Sequence, residues 1–535
     1  MKDRIRDSKG LTRRDFLYLT GMGMAGATMA GFAPWGHAAE KKPKRGGRLR
    51  LAARYGAVGL DAHANQNFQE YQTYCLMYSA LTNMGPGPDV RIYPMLAQSW
   101  EISPDGKEYV FRLREKTKFH DGKELDSSDV KYSIERVLNP ATKSPRAFSL
   151  RWVDSVQVID RYHLKIKLKE SFAPFLSTLT LVNCPIIPAG SEPSATKPAP
   201  GTGPFVFKSL VPNETVELTR FDQYWEVDEK TGDQLPYVDG VHVKKVVDAY
   251  IRLTALRSGD VDFIDSPPTN TLAKAVLEKP IPGIKMDYDF IGNTWIYFNV
   301  SKPPFDNQKV RQAFAYAIDK KAIAKGAYWG IGDTVNHQPF LNRSRFYIPV
   351  EEREVDIGKA KQLLAEAGYP NGLTTEFTNR SVDYEKAGCE IYIAQLAKIG
   401  VKATMKILDT AAWVSTVRKG DYNISFRGDT EKYDWDDAYY MHLHSGEIGK
   451  NNFARYSNKD LDLLLENGRG TWKQEDRVPI YRRVIEIIKE DLPHLYVGKP
   501  ALGVAYADYL KGFQKGFAMR YAWHGGGVKY WWLDK

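Results

Sequence analysis

The sequence predicts an α/β protein of two or three domains or lobes. Three observations carry that expectation. From residue 300 onward, helix-patterned stretches end at glycine and hand over to alternating strands, the order of α/β folds. A length of 535 residues exceeds what one compact core organises. A stretch rich in Pro and Gly at 185–204 marks a linker or return crossing. With 43% hydrophobic and 26% charged residues, disorder, collagen and coiled coil are excluded as global descriptions.

The elements follow in order. Arg48-Leu49-Arg50-Leu51-Ala52 alternates like a first strand. Residues 99–113 read as a hairpin around the turn Ser103-Pro104-Asp105-Gly106, with Tyr109, Phe111 and Leu113 at period two. A second turn, Phe119-His120-Asp121-Gly122, precedes a helix beginning near Ser127-Ser128-Asp129. Further on, Asp306 is the expected cap of a helix running from Val310 to Ile323. Ala360–Ala367 is a helix stopped by Gly368 and Pro370, and Cys389–Ile399 is one ended by Gly400. Val401, Ala403, Met405 and Ile407 then alternate with polar residues as a strand.

The N-terminus reads as an address. Six basic residues within 1–14 precede an apolar, charge-free run from Phe16 to Ala33. Gly36-His37-Ala38 then places small residues for a cut after Ala38. Thr12-Arg13-Arg14-Asp15-Phe16-Leu17 fits the twin-arginine pattern, with Arg13 and Arg14 as its signal pair. The first cysteine is Cys75, far from the cut, so a lipoprotein is not expected. Gly21-Met22-Gly23-Met24-Ala25-Gly26 spells GxGxxG but lies in the segment to be removed, without the strand such a fingerprint needs. Cleavage lowers the net charge from +10 to +7 on 497 residues, too little to imply nucleic acid.

Chemistry-bearing motifs are few. Cys75, Cys184 and Cys389 are dispersed and odd in number, so neither a disulfide scaffold nor a zinc module is expected. His442-x-His444 has no evident third ligand and reads as structural. There is no GxSxG, HExxH or P-loop, and Ser128-x-x-Lys131 lacks its partner motifs. No cofactor, metal or catalytic residue is assigned.

Eight segments in order resemble the bacterial family 5 extracellular solute-binding proteins, the peptide- and nickel-type receptors of ATP-driven (ABC) importers. They include Pro94-Met95-Leu96-Ala97-Gln98-Ser99-Trp100, Lys118-Phe119-His120-Asp121-Gly122, Gly201-Thr202-Gly203-Pro204-Phe205, Leu256-Arg257-Ser258-Gly259-Asp260-Val261-Asp262 and Ala360–Tyr369. Ala62, in Leu60-Asp61-Ala62-His63, stands where the family usually has Pro. The resemblance implies a large two-lobed periplasmic binding protein fold of the peptide-binding type, with an extra subdomain in lobe one. It places lobe one at 39–293 with the subdomain at about 80–200, lobe two at 294–495, and the return to lobe one at 496–535. It also implies a soluble, monomeric periplasmic receptor, an inner-membrane ABC permease as partner and a small-molecule or peptide ligand.

Candidate ligand contacts follow. Five acids crowd 429–437: Asp429, Glu431, Asp434, Asp436 and Asp437, with Lys432 alone opposing. Most are expected to form a solvated acidic loop. Peptide-binding members place an acid after an aromatic-x-Gly here to receive the ligand's α-amino group, and Phe426-Arg427-Gly428-Asp429 fits. Phe426 takes the aromatic place; Arg427 either neutralises the acid or recruits a ligand carboxylate. Arg380 stands where some relatives bind a carboxylate, with an ordinary surface arginine as the alternative. Alternation puts Trp295 and Tyr297 on one face, lining the cleft or packing in the core. Asn67 and Phe68 are lobe-one candidates. The expected function is capture of a short peptide or amine-bearing solute. The alternatives are an exported hydrolase, or the same receptor serving a nickel chelate, opine or oligosaccharide.

Overall fold

The computed structural model describes residues 42–65, 68–85, 91–181, 184–290, 292–514 and 527–535. The expected export signal, with Arg13, Arg14 and Ala38, lies outside them.

Two sheets organise the chain. The first has seven strands in the order Ile284–Phe290, Ala501–Ala507, Phe263–Asp265, Arg48–Ala53, Gly240–Lys245, Thr215–Arg220, Phe205–Val211. Its centre is parallel, because Arg48–Ala53 runs with both neighbours. The second has six strands, Asp333–Thr334, His494–Lys499, Gly292–Phe298, Ile424–Thr430, Thr374–Arg380 and Lys402–Leu408. A four-stranded antiparallel sheet spans 97–168, within the range expected for the subdomain.

The six-stranded sheet has helices on both faces, so its central strand is buried along its whole length. Period two divides that strand. Ile296 and Phe298 join a core with the helices Gln308–Tyr316, Lys320–Ala327, Ile357–Glu366 and Asp383–Ala397. Trp295 and Tyr297 join a second core with Thr410–Lys419, Trp435–Leu443, Lys459–Gly470 and Gln474–Asp491. Ile424–Thr430 divides the same way, Phe426 facing the first core and Arg427 and Asp429 the opposite face.

The chain crosses between the sheets twice, side by side. One residue separates Ile284–Phe290 in the first sheet from Gly292–Phe298 in the second. Pro500 alone separates His494–Lys499 from Ala501–Ala507, and Pro cannot donate to either ladder. The second passage between the sheets lies at Pro500. Gly292 is required at the first crossing, because a Cβ there would sit 1.9 Å from the Asp429 carbonyl oxygen.

Most expected elements form, with local differences. The 127 helix is capped by Asp126, whose carboxylate accepts from Ser128 N while Asp129 closes the box. The expected Val310–Ile323 helix is two, capped by Asn307 and by Asp319. Asp319 intercepts the chain, its side chain taking the Ala322 N–H and restarting the helix. Cys75, Cys184 and Cys389 are all buried. Among the described residues no helix is long and apolar enough to cross a membrane.

Residues between 82 and 173 touch the second sheet's helices and the loop between them. Trp472 donates its indole N–H to the Pro104 carbonyl at 3.1 Å, at the 103–106 turn. Gly106 has φ +70°, and any Cβ would meet that same indole at 2.4 Å. Ala173 N donates to Arg469 O at 2.9 Å. Met84, from the hairpin Thr82–Met84/Ile92–Pro94, packs in the core of Trp295 and Trp435.

Candidate functional site

Ligands of open α/β sheets bind at strand ends, where the loops can converge. In the second sheet one such end gathers Arg380, Leu408 and the 427–430 segment beside the two crossings. Asp429 stands there, opposite Asn293 in the register.

Its carboxylate is not free. Lys432 Nζ lies 3.5 Å from Oδ2, His442 Nε2 3.3 Å from Oδ2, and Arg427 Nη2 3.6 Å from Oδ1. Thr430 N donates to Oδ1 at 2.8 Å. Burial opposes the charge, but Lys432 and Arg427 outweigh it and hold the carboxyl well below the usual carboxylate range. At 3.5 Å the Lys432 attraction is on the order of 5 kcal/mol at an effective dielectric of ~20, and desolvation of two ions offsets much of it.

Lys432 is 4% exposed in its side chain, and its ammonium lies 5.6 Å over the Trp295 ring. Asp437 Oδ1 is 3.9 Å from the same ammonium. Trp295 is wholly buried, with His442 at 4.5 Å, Tyr496 at 5.0 Å and His494 at 5.1 Å between ring centres. Tyr297 is equally buried, its hydroxyl 3.4 Å from His442 Nδ1. The strand therefore supplies core rings rather than a cleft wall, and Trp295 acts on the site only as the floor beneath Lys432. Burial, reinforced by Lys432, keeps His442 neutral.

Phe426 does not reach the crevice. It is fully buried on the opposite face, where Gly388 leaves it room: a Cβ there would lie 2.6 Å from the ring. Arg427 stays on the Asp429 side, its guanidinium 4.9 Å from both the Trp413 and Phe453 rings, with no hydrogen-bond acceptor for Nη1 among the described residues. Arg380 is neither a surface residue nor unengaged. It pairs with the buried Glu385 and donates to Gly428 O at 3.0 Å, while Gly428 N donates to Glu385 Oε1 at 2.8 Å. Together they pin the strand that presents Asp429.

The expected solvated acidic loop is instead a paired one. Glu431 meets Lys499 at 2.6 Å, Asp436 meets Arg469 at 2.8 Å, and Asp434 meets Arg477 at 2.5 Å while capping the helix Trp435–Leu443. Lys499, Arg469 and Arg477 come from 33 to 68 positions downstream, so local sequence gave no sign of them. His444 pairs with Glu466 at 3.1 Å, in keeping with a structural histidine. Asn67 lies outside the described residues; Phe68 opens the helix Phe68–Met77. Among the described residues no group of His, Cys, Asp and Glu could hold a metal ion.

Residues 91–451 match the bacterial extracellular solute-binding proteins, family 5 middle. The chain belongs to this family. Among its relatives, heme-binding protein A of Haemophilus influenzae is 30% identical over 475 residues, 82% of this chain and 84% of its own. The glutathione-binding protein GsiB of Pectobacterium atrosepticum is 30% identical over 439 residues, 79% and 84% of the two chains. The solved structure of DppA, an ABC transporter-associated periplasmic binding protein of Helicobacter pylori in complex with the peptide STSA, is 26% identical with a TM-score of 0.73, covering 92% of this chain and 99% of its own. As a family 5 member the chain has the two-lobed α/β fold and is a solute-binding protein, not an enzyme, so the hydrolase alternative falls. The family is periplasmic and soluble, and its members work with an ABC permease.

Proposed function

We propose that the protein captures a short peptide or peptide-like, amine-bearing solute between its two lobes, with Asp429 receiving the amine and Arg427 an acceptor such as a carboxylate. The observation that carries this reading is the placement of Asp429, charged and at the strand end beside both crossings. An ammonium on a carboxylate in a closed cleft makes a charge-assisted hydrogen bond, stronger than a neutral one. The unaccepted Arg427 Nη1 favours a ligand that also brings an oxygen acceptor. Heme, glutathione and the peptide STSA, the ligands named for three relatives, all carry carboxylates.

Lobe one comprises residues 39–293 with the 80–200 subdomain inserted, lobe two 294–495, and residues 496–535 return to lobe one; the passages between the two sheets near residue 291 and at Pro500 support this division. Asn67 and Phe68 are the lobe-one contacts in this reading. The protein acts as a monomer and binds no nucleic acid. Export follows the twin-arginine route, with cleavage after Ala38 leaving a non-lipidated protein. Replacing Arg13 and Arg14 by lysine leaves it in the cytoplasm in a fractionation experiment; periplasmic recovery of that variant contradicts the route.

Calorimetric titration of the Asp429→Ala variant tests the site. The reading expects loss of measurable binding for an amine-bearing ligand. Unchanged affinity reduces Asp429 to a structural member of its charge cluster.

A further inference from the structure

The place assigned to a ligand's amine already holds one. Lys432 Nζ lies 3.5 Å from Asp429 Oδ2 and 3.9 Å from Asp437 Oδ1, over the Trp295 ring at 5.6 Å, with the side chain 4% exposed. A carboxylate beside an aromatic face is the chemistry that recognises an alkylammonium from any source. Lys432 also stands two residues before the Asp434 cap, near a helix N-terminus that repels cations. The acids and the ring hold its ammonium there against that repulsion.

We infer that Lys432 is a specificity-determining residue, a built-in ammonium that fills the Asp429–Asp437–Trp295 site and that a ligand amine enters only by displacing. The inference rests on the reading of Asp429 as the amine site. A tethered group competes at an effective concentration on the order of millimolar. An amine without further contacts loses to it. A ligand that also engages Arg427 and lobe one wins, so the tether rejects simple amines and passes those with a matching remainder.

The test offers the full-length exported protein an equimolar pool of tripeptides mixed with the same pool N-acetylated. Native mass spectrometry then gives the ratio of free-amine to acetylated peptide retained. Lys432→Met raises that ratio at least tenfold over wild type, and Lys432→Gln does the same should the methionine variant fold poorly. Adding Asp429→Asn to either returns the ratio to about one. A wild-type ratio in both Lys432 variants overturns the displacement role, and does so alone when Asp429→Ala still abolishes binding in the wild-type background. A raised ratio that survives Asp429→Asn overturns the amine site itself, and with it the inference, as does retention of neither pool by any variant.

Discussion

Lys499 directs its ammonium at both carboxylate oxygens of Glu431, 2.6 and 2.7 Å away, and its side chain is 2% exposed. The pair ties the last residue before the Pro500 crossing to the segment that follows Asp429. Removing one partner of a buried pair leaves the other charge uncompensated, at a cost of about 3 kcal/mol or more. Lys499→Met therefore lowers unfolding free energy by about that amount in urea titration, and adding Glu431→Gln recovers part of it. A single-variant loss below about 0.5 kcal/mol contradicts the pairing.

The contact between Trp472 and the 103–106 turn bridges the four-stranded sheet and the helices of the six-stranded one, and exists only when they are together. Trp472→Ala removes it without touching the Asp429 cluster. If closure draws about 1.4 kcal/mol from that contact, ligand affinity falls about tenfold. Titration calorimetry reads the affinity and small-angle scattering the compactness. Wild-type values for both deny the indole a role in closure.

Burial keeps several histidines neutral in the folded chain: His63 and His120 are lowered to about 4, His337 and His494 to about 3. In the unfolded chain each protonates near 6.5. Between those values the unfolded state binds more protons, so the stability is complete above pH 6.5 and is lost as pH falls toward 4. The slope is up to about 1.4 kcal/mol per pH unit for each histidine. His494, stacked 5.1 Å from Trp295 with neither ring nitrogen hydrogen-bonded among the described residues, is the clearest case. His494→Phe flattens the decline of unfolding free energy from pH 6.5 to 4; an unchanged slope contradicts its neutral burial.

Local signals in the sequence described much of the fold. Glycines marked helix ends: Gly368 and Gly400 both take positive φ, at +91° and +82°. The 401–407 alternation appears as the strand Lys402–Leu408. The site was less legible, because its partners are distant in the chain. Nothing near Asp429 announced His442 or Lys499, and Arg380 was separable from a surface arginine only through Glu385. The aromatic pattern placed Trp295 and Tyr297 on one face correctly. Which face meets the crevice depends on the helices from 410 to 491, which cover it. Strand alternation turns Phe426 away from Asp429, toward Gly388.

The central claim is that Asp429 holds the captured solute by its amine. The most direct measurement is native mass spectrometry of the protein isolated from the bacterium that exports it, beside the Asp429→Asn variant prepared identically. The expected result is one small amine-bearing solute per wild-type molecule and none on the variant. The same solute retained to the same extent by both proteins would contradict it.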